Sequence, residues 1–240
     1  MYETWCQSKE SKLDKFTCDC GEVMSIICRI ALTSVLLLNP LVSFADIEGC
    51  GSPERKDGGY GPYDYTDPSD YRNKLPIVDQ FHFTPRVEHL MGGVKEESSS
   101  PGGDLSYTLM AFPNHHRALS SMMRLSMKEN RPKPYGSNYS IECWLDRAIR
   151  WRPKDGMVRM IYGNYLASPR IKRFKEAIPQ YEIAEQLLKN NSNLHYNMGL
   201  LYFNLKNYAK AREYAKKAYA GGFPLSGLKD MLVKAGKWEG

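Results

Sequence analysis

The chain has little of what a metal site or a catalytic site requires. Only five of its 240 residues are histidine, and no two of them have the HxH or HExxH spacing that places a pair of imidazoles on one metal. There is no CxxC pair, no Gly-x-Ser-x-Gly nucleophile turn and no glycine-rich phosphate loop. These absences argue against zinc enzymes, serine hydrolases and nucleotide-dependent enzymes, and we expect neither an enzymatic activity nor a cofactor.

Long apolar runs are also scarce, with one exception. The stretch from Ile26 to Ala45, IICRIALTSVLLLNPLVSFA, has almost no charge, is interrupted by Asn-Pro and ends in Ser-Phe-Ala. This pattern is typical of a secretory signal peptide that is cleaved after Ala45, with translation starting at Met24. A retained membrane anchor is the alternative, but the uninterrupted part is shorter than the roughly 20 residues of a spanning helix. We therefore expect residues 1–45 to be a leader and signal peptide, and the rest to be exported to a periplasmic or extracellular space without a membrane span.

Cysteine is rare after Ala45, where only Cys50 and Cys143 remain. An even pair in an exported chain predicts a disulfide, because the compartment is oxidising. Such a bond closes a long loop and contributes about 4 kcal/mol in the chain-entropy model. The alternative is a lipoprotein acylated at Cys50, but Glu48 stands where such signals carry small or apolar residues.

Charges of the two signs are unevenly distributed. Residues 46–103 contain 6 Lys and Arg against 11 Asp and Glu, whereas residues 104–240 contain 23 against 11. Such asymmetry often indicates a nucleic-acid or membrane partner. Export argues against nucleic acid, and the acidic half is itself a partner for the basic half.

Residues 46–103, the N-terminal segment, are rich in turn residues and are predicted to be irregular. The tyrosine-rich stretch GYGPYDYTDPSDY (59–71) supplies aromatic surface to bury. LPIVDQFHF (75–83) is predicted to be a short strand or an extended arm. TPRVEHLMGG is predicted to be one short helix, with Thr84 as its N-cap and Gly92 as its stop.

From Asp104, a plausible helix cap, apolar residues recur at helical spacing. DLSYTLMAF is predicted to be a helix that ends at Pro113, and HHRALSSMMRLSMKEN a second helix with Asn114 as its N-cap. After the RPKPYGSN loop, another helix is predicted to end at Ala148. SNLHYNMGLLYFNLKN and YAKAREYAKKAYAGGF form the clearest helical hairpin, and PLSGLKDMLVKAGKW a terminal helix.

Small and aromatic residues recur in this region in a pattern that resembles the tetratricopeptide repeat, a two-helix unit of about 34 residues. The last unit carries it at Met198, Gly199, Tyr202, Tyr208, Ala211, Ala215 and Ala218. The preceding unit carries it at Tyr162, Gly163, Leu166, Phe174, Ala177, Tyr181 and Ala184. The resemblance implies an all-α solenoid of about three helical hairpins over residues 104–240.

The resemblance also implies a protein-binding concave face formed by the first helix of each repeat. Its expected residues are Arg117, Ser120, Ser121, Arg124, Lys128, Met157, Met160, Asn164, Ala167, Asn193, Tyr196, Asn197, Leu200 and Phe203. Asn164 and Asn197 match two asparagines of the family's carboxylate clamp, but Met160 stands where the clamp has a lysine. We thus expect an exported adaptor or envelope assembly factor that binds a protein or peptide.

Two further interpretations remain open. The basic stripe, formed by Arg117, Arg124 and Lys128 on one side of a helix, is either solvated or packed against the aspartates of the tyrosine-rich stretch, which the disulfide would hold in place. A metal-binding or hydrolytic site is the alternative function, between the N-terminal segment and the first repeat, with the residues His82, Glu88, His89, His115 and His116. A glycan site in the tyrosine-rich stretch is a third possibility.

Overall fold

The described part of the chain is built from helices alone. The structure, a computed structural model, describes residues 49–55, 58–96 and 100–238, which all belong to the compact unit Asp46–Gly240. Every regular element in these ranges is a helix, so the fold is all-α, as the sequence predicts. The predicted leader, signal peptide and start at Met24 lie outside the described residues. Within the ranges that are described, no helix is both long and apolar enough to cross a membrane.

The helices follow one another with short connections. Three short helices come first: α1 (Pro68–Asn73), α2 (Leu75–Phe81) and α3 (Pro85–Glu88). Eight helices follow them in the described residues: α4 (Gly102–Ala111), α5 (His116–Glu129), α6 (Ile141–Trp151), α7 (Gly156–Ala167), α8 (Phe174–Leu187), α9 (Ser192–Asn204), α10 (Tyr208–Ala220) and α11 (Gly227–Lys234).

The N-terminal segment contains more helix than its composition predicts. The strand or extended arm predicted for LPIVDQFHF is wrong, because this stretch forms α2 with a proline in its first turn. Leu75 and Val78, three residues apart, point into an apolar cluster and are buried. Helix α3 begins after Thr84 as predicted but ends at Glu88, well before Gly92.

Several predicted helix boundaries also shift in the second half. Helix α4 begins at Gly102, so Asp104 lies in its first turn and is not its cap. Helix α6 continues past Ala148 to Trp151. It stops there because Arg152, which precedes Pro153, takes the extended conformation that a following proline favours.

The hairpins α7–α8 and α9–α10 depend on small residues at the points where their helices cross. A Cβ atom added to Gly163 would come within 2.5 Å of the Tyr181 ring, so only glycine lets this ring lie against α7. In the last hairpin the alanines of α10, Ala211, Ala215 and Ala218, are fully buried. Close approach of the paired helices therefore follows from residue size at a few positions.

The N-terminal segment shares its core with the later helices. Phe83 and Val87 are buried in the same cluster as Leu105 and Trp144. A second cluster joins Leu75 and Val78 to the end of α4, and it is covered by four tyrosines: Tyr60, Tyr63, Tyr65 and Tyr107. The tyrosine-rich stretch is thus packed on the helices and is not a free loop.

Candidate functional site

The N-terminal segment is fastened to one face of α6. Cys50 forms the predicted disulfide with Cys143 in the first turn of this helix, with 5.0 Å between the two Cα atoms. One turn further on, the Arg147 guanidinium donates to the backbone carbonyls of Cys50 and Ser52. Arg150 donates to the Gly51 carbonyl at 2.6 Å. A covalent bond and a row of hydrogen bonds therefore hold the same short stretch.

Arg147 is an unusual anchor because it is buried and forms no ion pair with a carboxylate of the described residues. Only 1% of the residue is exposed. Its guanidinium lies over the rings of Tyr139, at 4.8 Å, and Trp144, at 5.5 Å, and it contacts the Met110 sulfur. Burial lowers the pKa of Arg147, although a guanidinium stays charged at neutral pH. Carbonyl dipoles and aromatic faces, and not an ion pair, compensate its desolvation.

The end of α6 holds the tyrosine-rich stretch. Trp151 donates its indole N–H to the Tyr63 carbonyl at 3.3 Å, and Arg152 forms an ion pair with Asp64. Among the described residues, the basic stripe forms no ion pair with the aspartates of this stretch. The predicted contact between its arginines and the aspartates is therefore wrong, and the arginine that pairs with an aspartate of the stretch is Arg152.

The basic stripe instead contacts α3 and the residues after it. Arg117 forms an ion pair with Glu88, and Arg124 donates to the Glu88 carbonyl at 2.8 Å. Lys128 donates to the Leu90 carbonyl at 3.1 Å. Arginine and lysine side chains thus donate to backbone carbonyls at the end of α3 and just after it, where a very short helix supplies no hydrogen-bond donors of its own. The N-terminal segment therefore contacts the part of α5 that is expected to bind a partner, although Arg117, Arg124 and Lys128 remain exposed.

The corner between α4 and α5 is a polar junction. Asn114 is fully buried; its side chain accepts from the Tyr65 backbone N–H at 3.0 Å and donates to Asp64 and Asp155 at 2.8 and 3.1 Å. The predicted N-cap at Asn114 is wrong. His115 caps α5, because its Nδ1 accepts the Ala118 N–H at 3.1 Å.

The two adjacent histidines face different aspartates. Burial lowers the pKa of His115 against the opposing effect of Asp79, so the ring is neutral and donates through Nε2 to Asp79 at 3.3 Å. His116 bonds Asp155 through Nε2 at 2.8 Å. Asp155 also caps α7 by accepting the N–H groups of Met157 and Val158.

The other two histidines of the predicted metal site lie apart from this pair. His82 stacks on Tyr107 and bonds Asp104 at 3.2 Å, and His89 is exposed at the end of α3. Across the described ranges, the histidine, cysteine and acidic side chains form no group of three that could hold a metal ion.

Asp64 makes the stability of this junction dependent on pH. Burial by itself raises the pKa of its carboxyl, but hydrogen bonds from Arg152, Thr66 and Asn114 outweigh burial and lower the pKa from 3.8 to about 2. The ionised carboxylate therefore stabilises the folded state above about pH 4, and this stabilisation is lost as the pH falls towards 2.

We expect Asp64→Asn to be less stable than the parent chain at neutral pH. The difference between the two should shrink as the pH falls from about 4 to about 2, because only the parent loses a stabilising charge there. Urea unfolding at a series of pH values measures this. A difference that stays constant down to pH 2 would contradict the role given to Asp64.

An open groove of about 410 Å³ runs across α5, α7 and α9. Its polar lining includes Asn164, Asn197 and Tyr181, and its apolar lining Met123, Met127, Ala167, Leu200 and Leu201. Asn164 Oδ1 accepts from Tyr181 at 2.8 Å and from Asn197 at 2.9 Å. These bonds leave the Asn164 amide N–H groups and the Asn197 amide oxygen as polar atoms for a ligand.

The groove contains four of the predicted partner-binding residues: Asn164, Ala167, Asn197 and Leu200. Met160, by contrast, is in the core with 7% of its surface exposed. Tyr196 stacks on Phe223, and Phe203 packs edge-on against Tyr208. Asn193 is exposed in the first turn of α9, outside the groove lining.

The described region is thus an all-α structure in which helical hairpins follow a covalently fastened N-terminal segment. Comparison with family models, with curated proteins and with solved structures finds no match for this chain.

Proposed function

We propose that this chain is an exported, tetratricopeptide-type binding module, an adaptor or assembly factor, whose groove across α5, α7 and α9 holds an extended segment of a protein partner. The observation that carries the proposal is the groove itself, in which the alternate helices α5, α7 and α9 lie side by side and the last two present paired asparagines between apolar side chains. A side-chain amide offers both donors and an acceptor, which are the groups that a peptide bond needs. Met123 and Met127 offer adaptable apolar surface to the side chains of the segment.

The groove also limits the chemistry of the partner. The lining residues include no lysine, arginine, aspartate or glutamate. The cations that the sequence predicts on this face, those of the basic stripe, contact Glu88 and Leu90. A charged side chain or a free terminal carboxylate would lose its hydration in the groove without gaining a counter-ion. We therefore expect the bound segment to be internal to the partner and uncharged where it crosses α7 and α9.

Two features support the wider proposal of an exported repeat protein. Gly163, Ala177, Tyr181 and Ala184 are packed at the crossing of α7 and α8, as the repeat pattern requires of such positions. The Cys50–Cys143 disulfide is compatible with an oxidising compartment.

Peptide selection from a random extended library tests the groove. We expect selected peptides to be uncharged at their centre and to bind equally well with a free or an amidated C-terminus. Asn197→Ala should weaken them about 10-fold, because one amide contact is lost and Asn164 loses its partner. Asn193→Ala, the same change on the same helix but outside the groove, should leave affinity unchanged.

Two results would contradict the proposal. One is binding that is lost on amidation, which would indicate a carboxylate clamp. The other is binding that responds equally to Asn193→Ala and Asn197→Ala, which would place the ligand elsewhere. Thermal unfolding of both variants must remain close to that of the parent, so that the comparison reports on binding.

A further inference from the structure

A second pocket lies at the junction of the N-terminal segment with the helices, away from the groove. It has a volume of about 530 Å³ and is bounded by Thr66, by His116 at the start of α5, by the α6–α7 turn and by the end of α8. We call it the corner pocket. Its volume is within the range of about 300–1,000 Å³ that is usual for small-molecule sites.

One wall of the corner pocket is apolar. Met157, Leu187 and Leu188 line it together with Pro153. Leu187, the last residue of α8, is 37% exposed, although it is a large aliphatic residue. A side chain at residue 156 would overlap both leucines, so Gly156 is what lets them lie against the start of α7. The wall is therefore a formed surface to which an aliphatic chain can pack.

The rest of the lining is polar, and among the described residues its one cation without an ion pair is Lys154. The one acid in the lining, Asp155, has a side chain that is 4% exposed, and its oxygens accept from Asn114, His116, Met157 and Val158. This carboxylate is therefore engaged on the protein side.

Two cations of the α6–α7 turn remain on the polar wall. Lys154 is exposed and makes no ion pair with the described residues. The Arg152 guanidinium uses Nε for Asp64 and one terminal nitrogen for the Trp151 carbonyl, which leaves its other terminal nitrogen for a ligand. An anionic group placed between these two side chains would meet the Lys154 ammonium, which has no ion pair with the described residues, and the remaining terminal N–H groups of Arg152, which already pairs with Asp64 through Nε.

We propose that the corner pocket binds a small aliphatic monocarboxylate, with its chain on Met157, Leu187 and Leu188 and its carboxylate between Lys154 and Arg152. The two walls require both parts of the ligand. The chain alone would leave Lys154 without a counter-ion, and the carboxylate alone would leave the leucines exposed. Each methylene added to the ligand, up to the length of the wall, tightens binding about 3-fold.

Isothermal titration of the full chain with octanoate tests the site, with octanol and acetate as probes that each lack one half of the ligand. We expect saturable binding of one octanoate, and binding about 10-fold weaker or weaker still for the other two probes. Lys154→Gln should weaken octanoate about 5-fold, whereas Lys175→Gln, an exposed lysine outside the pocket, should have no effect.

The apolar wall has its own matched pair of variants. Leu187→Asn should weaken octanoate about 10-fold, and Leu225→Asn, which changes an exposed leucine outside the pocket, should not. Octanol that binds as tightly as octanoate would overturn the assignment of the carboxylate. The absence of saturable octanoate binding up to about 10 mM would overturn the site. Because these residues do not line the groove, neither result bears on peptide binding there.

Discussion

Replacing both Cys50 and Cys143 by serine is expected to lower the free energy of unfolding by about 4 kcal/mol. The two residues are 93 positions apart, so the bond closes a loop that spans much of the described chain. Closing a loop of this length removes a large amount of conformational entropy from the unfolded state. For a chain of this size the expected fall in melting temperature is about 10 °C.

Urea unfolding of the parent and of the double variant measures this effect. Dithiothreitol added to the parent should reproduce the loss, and it should add nothing to the double variant, which identifies Cys50–Cys143 as the bond responsible. A loss below about 1 kcal/mol would show that hydrogen bonds from Arg147 and Arg150 hold the segment without covalent help.

Asn114→Ala is the second change with a large expected effect, a loss of about 3 kcal/mol. Its side chain is fully buried and bonds to three groups, the Tyr65 N–H and the carboxylates of Asp64 and Asp155. Alanine leaves the Tyr65 N–H without its acceptor. The carboxylates of Asp64 and Asp155 each lose one hydrogen-bond donor. Both consequences cost free energy because buried polar groups have lost their hydration.

Asn193→Ala is the matched control for this variant, because Asn193 is exposed. Chemical unfolding should show a change within about 0.5 kcal/mol for the control. If Asn114→Ala were equally mild, the junction would tolerate the loss, and Asn114 would not be what joins the tyrosine-rich stretch to α5 and α7.

The hairpins could be predicted from the sequence because local signals agree there. In α9 and α10, capping asparagines, helical apolar spacing and small residues at the crossing all indicate the same structure. For α2 the order of apolar residues alone does not distinguish a helix from a strand or an extended arm. Burial of Leu75 and Val78 against Ala111 and Phe112, at the end of a helix distant in sequence, decides it, and no local sequence pattern indicates such a contact.

The corner between α4 and α5 shows how tertiary contacts override local preference. Asparagine is the stronger N-cap by intrinsic preference. The Asn114 side chain instead bonds to residues about 40 to 50 positions away, so the cap passes to His115. No local sequence pattern indicates that distant residues compete with the helix N-terminus for the Asn114 side chain.

Some residues of the candidate sites could likewise be predicted from the sequence, and others could not. The disulfide could be predicted because only two cysteines follow Ala45, and Asn164 and Asn197 were found through the repeat resemblance. Arg147 was missed because a buried arginine without an acid is indistinguishable in sequence from a surface one. Its position one turn after Cys143, on the same face of α6, is the only signal that could have indicated it.

The attachment of the N-terminal segment to α6 also affects the order in which parts of the chain fold during synthesis. The segment is made first, yet the hydrogen bonds that fix residues 50–64 come from helix residues 88 to 99 positions later. Contacts of such sequence separation form slowly, whereas the hairpins at the end of the chain pair locally. Until α6 has been synthesised, the tyrosines of the segment can pack only on α2 and the end of α4, without the disulfide and hydrogen bonds that fix their backbone. The part of the described chain that is synthesised earliest is therefore among the last to reach its native structure.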